Sequence, residues 1–200
     1  MTGFEFLEPS GAAVARSPME GQAVAAGARM ELRDGWNVGV AYPAAAPDAP
    51  VAWADVSHLR KREVAGPHQL AFGTATATNG AWWCPVTSER TLVIGNTDVE
   101  ALEVTTALAA LAIVGPLARE VIARFCALDL RPQSMPVGGF RPGSVARTPG
   151  YVLREDDDCF LMLFGWALGE YMWTVVADAA RALGGGPVGV DALEREVARA

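Results

Sequence analysis

Apolar positions are densest between Glu103 and Leu183, and their spacing there alternates between strand and helix periods. Ala107 to Val114 is a nearly unbroken apolar run closed by Gly115-Pro116, the pattern of a strand buried on both faces. Pro116 then opens a helix in which Leu117, Val121, Ile122 and Phe125 form one stripe while Arg119, Glu120 and Arg124 face away. Val145–Arg154 and Cys159–Phe164 flank the acidic turn Glu155-Asp156-Asp157-Asp158, which predicts a hairpin. The longest helix follows, with Ala167, Leu168, Tyr171, Met172, Val175, Val176, Ala179 and Leu183 on a broad apolar face ended by Gly184-Gly185-Gly186. The result is a βαββα unit of an α+β domain.

The same plan occurs once before. Asp55-Val56-Ser57 runs on to Gly66-Pro67 as Glu103-Val104-Thr105 runs on to Gly115-Pro116. Trp82–Val86, the turn Thr87–Arg90 and Leu92–Gly95 mirror the later hairpin, and Asp98–Leu102 stands where the later helix would be. These stretches predict two pseudo-repeats, about 51–102 and 103–183, around a shared core within a single domain at 17–200.

Outside the repeats the signals are local. Residues 1–16 are patternless and predict a loose arm or a strand added to a partner. Ser17-Pro18-Met19-Glu20 has the form of a capping box opening a short helix. Met30–Leu32 and Trp36–Tyr42 alternate like strands around an Asp34-Gly35 turn. Pro43–Pro50 and Arg131–Gly143 are rich in proline and glycine and predict long loops that are functional or partner-facing. Asp191 is placed to cap a last helix over 192–199.

Composition narrows the function. Sixteen basic against 23 acidic residues give a net charge of −7, with no basic run longer than Arg60-Lys61-Arg62, so nucleic acid is not expected as a partner. Three cysteines without CxxC spacing predict neither a disulfide framework nor a structural zinc, and two histidines with no carboxylate cluster predict no catalytic metal. A reducing cytoplasm fits that usage. No apolar run approaches about 18 residues and the N-terminus lacks a signal-like segment, so neither membrane spanning nor secretion is expected. Trp36, Trp53, Trp82 and Trp83 fall outside the helical stripes, where aromatics suit an interface or a planar ligand.

The residues also carry a resemblance. Ser17-Pro18, Ala26–Met30, Gly35-Trp36, Tyr42, Asp55–Leu59, Gly66-Pro67, Arg147-Thr148, Gly150-Tyr151 and Pro187–Glu194 resemble the aminomethyltransferase family, the T-protein of the glycine cleavage system. Trp83–Pro85, Leu92-Val93, Gly115-Pro116, Cys126–Leu130 and Glu170–Trp173 resemble the gamma subunit of heterotetrameric sarcosine oxidase. Both belong to a folate-binding superfamily, and the resemblance implies a duplicated α+β fold around a central cavity. It also implies tetrahydrofolate as a ligand. The family's C-terminal barrel is expected to be lacking, because the sequence stops near where it would begin.

Where that family places a catalytic carboxylate on the first hairpin, this chain has Asn79-Gly80-Ala81-Trp82-Trp83-Cys84. No catalytic residue can be assigned. The cofactor-binding candidates implied by the resemblance are His58, Asn96, Tyr151 and Glu155. On the residues alone His58 is equally a surface or capping histidine, Asn96 a helix-start residue, and Glu155 part of a solvated acidic turn. Cys84, with no base near it in sequence, reads as a buried, unreactive thiol. A homo- or hetero-oligomer is expected, and the function expected is an accessory, non-catalytic subunit pairing with a larger flavin- or folate-bearing subunit in a sarcosine oxidase-like one-carbon complex. The alternatives are a minimal folate-dependent methyl or aminomethyl transferase and a stand-alone folate-binding regulator.

Overall fold

A computed structural model describes residues 13–43 and 49–197, with 194–197 by backbone only. The chain is α+β. Its strands are β1 (Ala15–Arg16), β2 (Arg29–Arg33), β3 (Trp36–Ala41), β4 (Ala52–Asp55), β5 (Lys61–Ala65), β6 (Thr76–Thr78), β7 (Ala81–Thr87), β8 (Arg90–Gly95), β9 (Leu102–Glu103), β10 (Leu108–Val114), β11 (Phe140–Val145), β12 (Thr148–Asp156), β13 (Cys159–Gly165) and β14 (Gly186–Pro187). Its helices are α1 (Glu20–Ala25), α2 (Ala118–Ala123), α3 (Gly169–Arg181) and α4 (Val190–Val197).

Three sheets form: β1-β3-β2, the six-stranded β11-β12-β13-β10-β4-β14, and the five-stranded β6-β7-β8-β5-β9. The six-stranded sheet is the middle layer, and strand alternation sorts its side chains between two cores. Trp53, Ala109, Leu111, Ile113, Phe160, Met162 and Phe164 pack against the helices, meeting Val121 and Ile122 of α2 and Met172, Trp173 and Val176 of α3. Ala54, Ala110, Ala112, Leu161 and Leu163 point the other way, to Cys84, Leu92 and Ile94 of the five-stranded sheet and Val38 and Val40 of β3. The alanines on this second face let the two sheets approach closely.

The strands after each Gly-Pro follow the same order. β5 is followed by β6, β7 and β8 in the spatial order β6-β7-β8-β5, and β10 by β11, β12 and β13 in the order β11-β12-β13-β10, every neighbour antiparallel. Each set takes its next strand from the segment that precedes the other: β4 pairs with β10, and β9 pairs with β5. The crossing points are bonded alike. The Ser57 hydroxyl accepts the Ala110 N–H at 3.1 Å and Thr105 Oγ1 accepts the Lys61 N–H at 2.9 Å. The Val56 N–H donates to the Ala110 carbonyl and the Val104 N–H to the Lys61 carbonyl. Gly66 N–H donates to Glu89 O, and Gly115 N–H to Asp158 O, both at 2.9 Å. Even the register shifts correspond, between Pro85 and Thr87 and between Arg154 and Asp156.

Several expected elements differ. Asp98–Leu102 is not a helix: Arg62 donates to the Thr97 and Val99 carbonyls, removing acceptors a helix would use, and the stretch ends in β9. The earlier unit therefore has no helix, so it is not βαββα. The single strand expected over Val145–Arg154 is the end of β11, a two-residue turn and most of β12; Ala146 and Arg147 turn at φ 47° and 65°, a left-handed pair with no glycine to announce it. The Ser17 hydroxyl does accept the Met19 N–H, but Glu20 pairs with Arg16 and does not close the box. Asp191 lies inside the first turn of α4 and binds Arg33 at 2.5 Å. Trp53, expected to suit an interface or a planar ligand, is instead fully buried between β10 and β14. The arm's last residues form β1, parallel to β3 of the same chain; residues 1–12 and 44–48 of the expected arm and loop lie outside the described residues.

Candidate functional site

Two places concentrate chemistry. The first is the crossing point between the sheets, where β4 ends in Asp55, a turn carries Ser57 and His58, and β5 begins with Lys61. Lys61 has no exposure, and its ammonium donates to the carbonyls of Ser57 at 2.9 Å and Leu59 at 2.7 Å. Burial pushes its pKa down to about 8 against the pull of Asp55 and Glu103. Burial likewise raises the Asp55 carboxyl, opposed by hydrogen bonds from Ser17 and Ser57. His58 is pushed down to about 4, first by burial and then by the charges of Lys61 and Arg33. Burial also raises the Tyr42 phenol, with Asp55 adding to the effect. Asp55, His58, Ser17 and Asn37 face one small space of about 10 Å³ beside Trp36, Val38 and Gly39, which is water-sized.

The second is an open groove of about 830 Å³ where the six-stranded sheet ends. Leu108, Gly165, Pro149 and Ser144 occupy one row across β10, β13, β12 and β11. Tyr151, Phe164 and Leu168 add apolar and aromatic wall, and Arg147 is the one cation in the lining. Tyr151 is held in place by stacking on Phe140, ring centroids 5.3 Å apart and 12° from parallel. The volume lies within the few hundred to about 1,000 Å³ of small-molecule sites.

Of the four residues expected at a folate site, Tyr151 alone lines the groove. His58 lies at the buried crossing point, and Asn96 is exposed after β8. Glu155 is exposed at the β12 bulge, where it accepts the Trp82 indole N–H at 3.2 Å and lies 3.6 Å from the Cys159 thiol. On the first hairpin, neither β7 nor β8 carries a carboxylate; Ala81 and Cys84 are buried, and burial raises the Cys84 thiol. Lys61 was concealed in sequence by its charged neighbours. On a strand, Arg60 and Arg62 point one way and Lys61 the other, and that alternation was the available signal. Among the described residues there is no group of three metal-ligating side chains, and no helix is long and apolar enough to cross a membrane.

No protein-family model and no curated protein matches the chain. Solved structures do. A chain of the heterotetrameric sarcosine oxidase from Corynebacterium sp. U-96, solved with pyrrole 2-carboxylate, superposes with a TM-score of 0.68 at 15% identity, over 85% of this chain and 96% of that one. The glycine cleavage system aminomethyltransferase T from Bartonella henselae superposes with a TM-score of 0.70 at 15% identity, over 90% of this chain but 60% of that one. This chain therefore shares the aminomethyltransferase-like fold expected from its motifs, at a length that matches nearly all of the oxidase chain and three-fifths of the transferase.

Proposed function

We propose that this chain is a non-catalytic accessory subunit of a one-carbon complex, bound to a larger flavin- or folate-bearing subunit. The observation that carries this reading is the first hairpin, where Trp82-Trp83-Cys84 stands in place of an acid and neither strand supplies a carboxylate. A general acid–base step without its acid loses a factor of roughly 10² to 10⁴. The superposition with a chain of a heterotetrameric oxidase over 96% of that chain supports a subunit role. So do Phe72 and Val137, 62% and 49% exposed, on the loops whose neighbouring residues 73–75 and 138–140 lace the two sheets together. The matched crossing bonds and registers support an origin by duplication of one strand-exchanging unit.

Tetrahydrofolate is the ligand we assign to the groove, where Tyr151 offers an aromatic face, Arg147 a partner for a carboxylate, and the row of Pro149 and Gly165 a flat floor. When bound, the folate would carry the one-carbon group; this chain's residues would orient it and shield it from water. That leaves a minimal transferase or a free-standing folate-binding regulator as second readings. The test is to titrate the purified chain with tetrahydrofolate, then assay one-carbon transfer with and without the subunit that co-purifies. We expect binding weakened by Tyr151→Ala, little change from His58, Asn96 or Glu155 variants, and no transfer by the chain alone. Robust transfer by the isolated chain overturns the accessory reading. Binding without any stoichiometric partner favours the regulator.

A further inference from the structure

The groove is lined by Arg147 and Thr148 of the β11–β12 turn and by Leu168, directly before α3, and a hydrogen bond ties the turn to the helix. Val145 and Thr148 pair across the turn, which leaves Ala146 and Arg147 at φ 47° and 65°. That backbone is ordinarily made by Asn-Gly, and a residue with a Cβ is strained in it. Here it is held at three points. The Ala146 N–H donates to the Phe125 carbonyl at 2.8 Å, the Thr148 hydroxyl to the Val145 carbonyl at 2.9 Å, and the Tyr171 hydroxyl of α3 to the Ala146 carbonyl at 3.0 Å. A connection between two strands does not require this, because glycine at 147 would make the same turn without strain. What the strained residue adds is a guanidinium in the groove's lining, and among the described residues no carboxylate pairs with it. Strain of this kind persists where the side chain it presents has a use.

We propose that this turn is a preset clamp for the carboxylate end of the groove's ligand, with Arg147 as the binding group and Tyr171 as the positioning residue that holds it. The inference rests on the groove being the folate site and names which end of the molecule this rim recognises: the benzoylglutamate, not the pterin. A guanidinium forks onto a carboxylate through two parallel N–H donors, and the less its backbone can move the less freedom is lost on binding. Tyr171 is outside the lining and acts only through the Ala146 carbonyl. Its side chain is 46% exposed, so water can take the place of the hydroxyl and the fold survives its removal.

The test is calorimetric titration of the whole chain with tetrahydrofolate, with p-aminobenzoylglutamate, and with tetrahydropterin, which lacks the carboxylates. Arg147→Gln should weaken both carboxylate-bearing probes roughly 10-fold and Tyr171→Phe roughly 3-fold, with tetrahydropterin unchanged by either. The loss should shrink as salt is raised. Arg147→Gly should weaken the same two probes yet unfold at no lower denaturant concentration than the native chain, because the strain leaves with the side chain. p-Aminobenzoylglutamate that binds and responds to both variants, where tetrahydrofolate does not bind, upholds the clamp and removes the folate assignment. Tyr171→Phe that weakens all three probes alike would make its role merely structural and overturn the proposal. So would carboxylate probes that do not bind or that ignore Arg147→Gln, whereas tetrahydropterin binding in that case would leave the groove's folate reading standing.

Discussion

The strands β4–β8 and β9–β13, here the earlier and the later unit, exchange their first strands and build one hydrogen-bonded frame with different fillings. In the later unit the link after Gly115-Pro116 becomes α2, and Ala118, Val121 and Ile122 bury completely against the six-stranded sheet. In the earlier unit the link after Gly66-Pro67 has no helical apolar spacing. Thr91 and Val93 face away from the second core yet are 3% and 1% exposed. The stretches held down on that side are the 66–75 loop, through His68 to the Thr87 carbonyl, and the 96–101 segment, through Arg62. A helix layer on one side and tethered loops on the other are two solutions to covering the outer face of the same kind of sheet. The frame is thus held by the crossing bonds and the strand registers, while the covering differs between the two.

The glycines that end β5 and β10 give the largest expected contrast. Both sit at positive φ, 119° for Gly66 and 107° for Gly115, so any side chain strains either one. A methyl group at Gly66 meets nothing within 4 Å, whereas at Gly115 it would lie 2.8 Å from the Pro50 carbonyl oxygen. Gly66→Ala should cost about 1–2 kcal/mol and Gly115→Ala about 4 kcal/mol, measured by denaturant unfolding. Equal losses would mean that the packing difference between the units is not felt.

Lys61 and Ala110 occupy matching places, each taking the first crossing bond, and here the units differ in charge. The folded-state pKa of Lys61, about 8, is below its ordinary 10.5. The folded chain therefore gives up this proton before the unfolded chain does. Its cost is fully present below about pH 8 and is relieved as pH rises toward 10.5, so Lys61 makes stability increase across that window, by about 3 kcal/mol. Lys61→Met should flatten this rise, seen in chemical melts at several pH values. A variant that keeps the slope would show that the proton sits elsewhere.

The crossing hydroxyls test the frame itself. Ser57 and Thr105 are both buried, and each accepts the N–H of the residue that starts its crossing. Ser57→Ala and Thr105→Ala each leave a buried donor unpaired and should cost about 1–3 kcal/mol, alike to within about 1 kcal/mol. A loss confined to one of them would break the equivalence.

How far the sequence announced this comparison depends on the kind of signal. The matching triads Asp55-Val56-Ser57 and Glu103-Val104-Thr105, the Gly-Pro stops and the Asp34-Gly35 turn are local, and the structure has each where the residues put it. The exchange of β4 and β9 between sheets is non-local, decided by pairing partners 56–62 residues away for β4 and 39–41 for β9, which no period in the chain encodes. The Ala146-Arg147 turn was hidden because its residues avoid the glycine and asparagine that left-handed backbone favours. Of the candidate site, Tyr151 was legible as part of a motif. The buried role of Lys61 was not, since a lysine between two arginines reads as solvent-exposed until strand alternation turns it inward.

The smallest effect lies where β7 touches the bulge of β12. Val86 and Glu155 are the residues at which β7 and β12 shift register, so they correspond, and Trp82 corresponds to Tyr151, since Ile94 and Leu163 are their cross-strand partners. Trp82 donates to Glu155 across the two sheets, a bond with no mirror-image counterpart, because the matching position in the earlier unit is an apolar valine. The pair is exposed on the Glu155 side, where water competes for the carboxylate and the two groups gain little by meeting. A double-mutant cycle of Trp82→Phe and Glu155→Gln should return a coupling of about 0.5 kcal/mol. A coupling above about 2 kcal/mol would instead make this asymmetric bond a principal tie between the sheets, and the frame would no longer rest on the symmetric crossing alone.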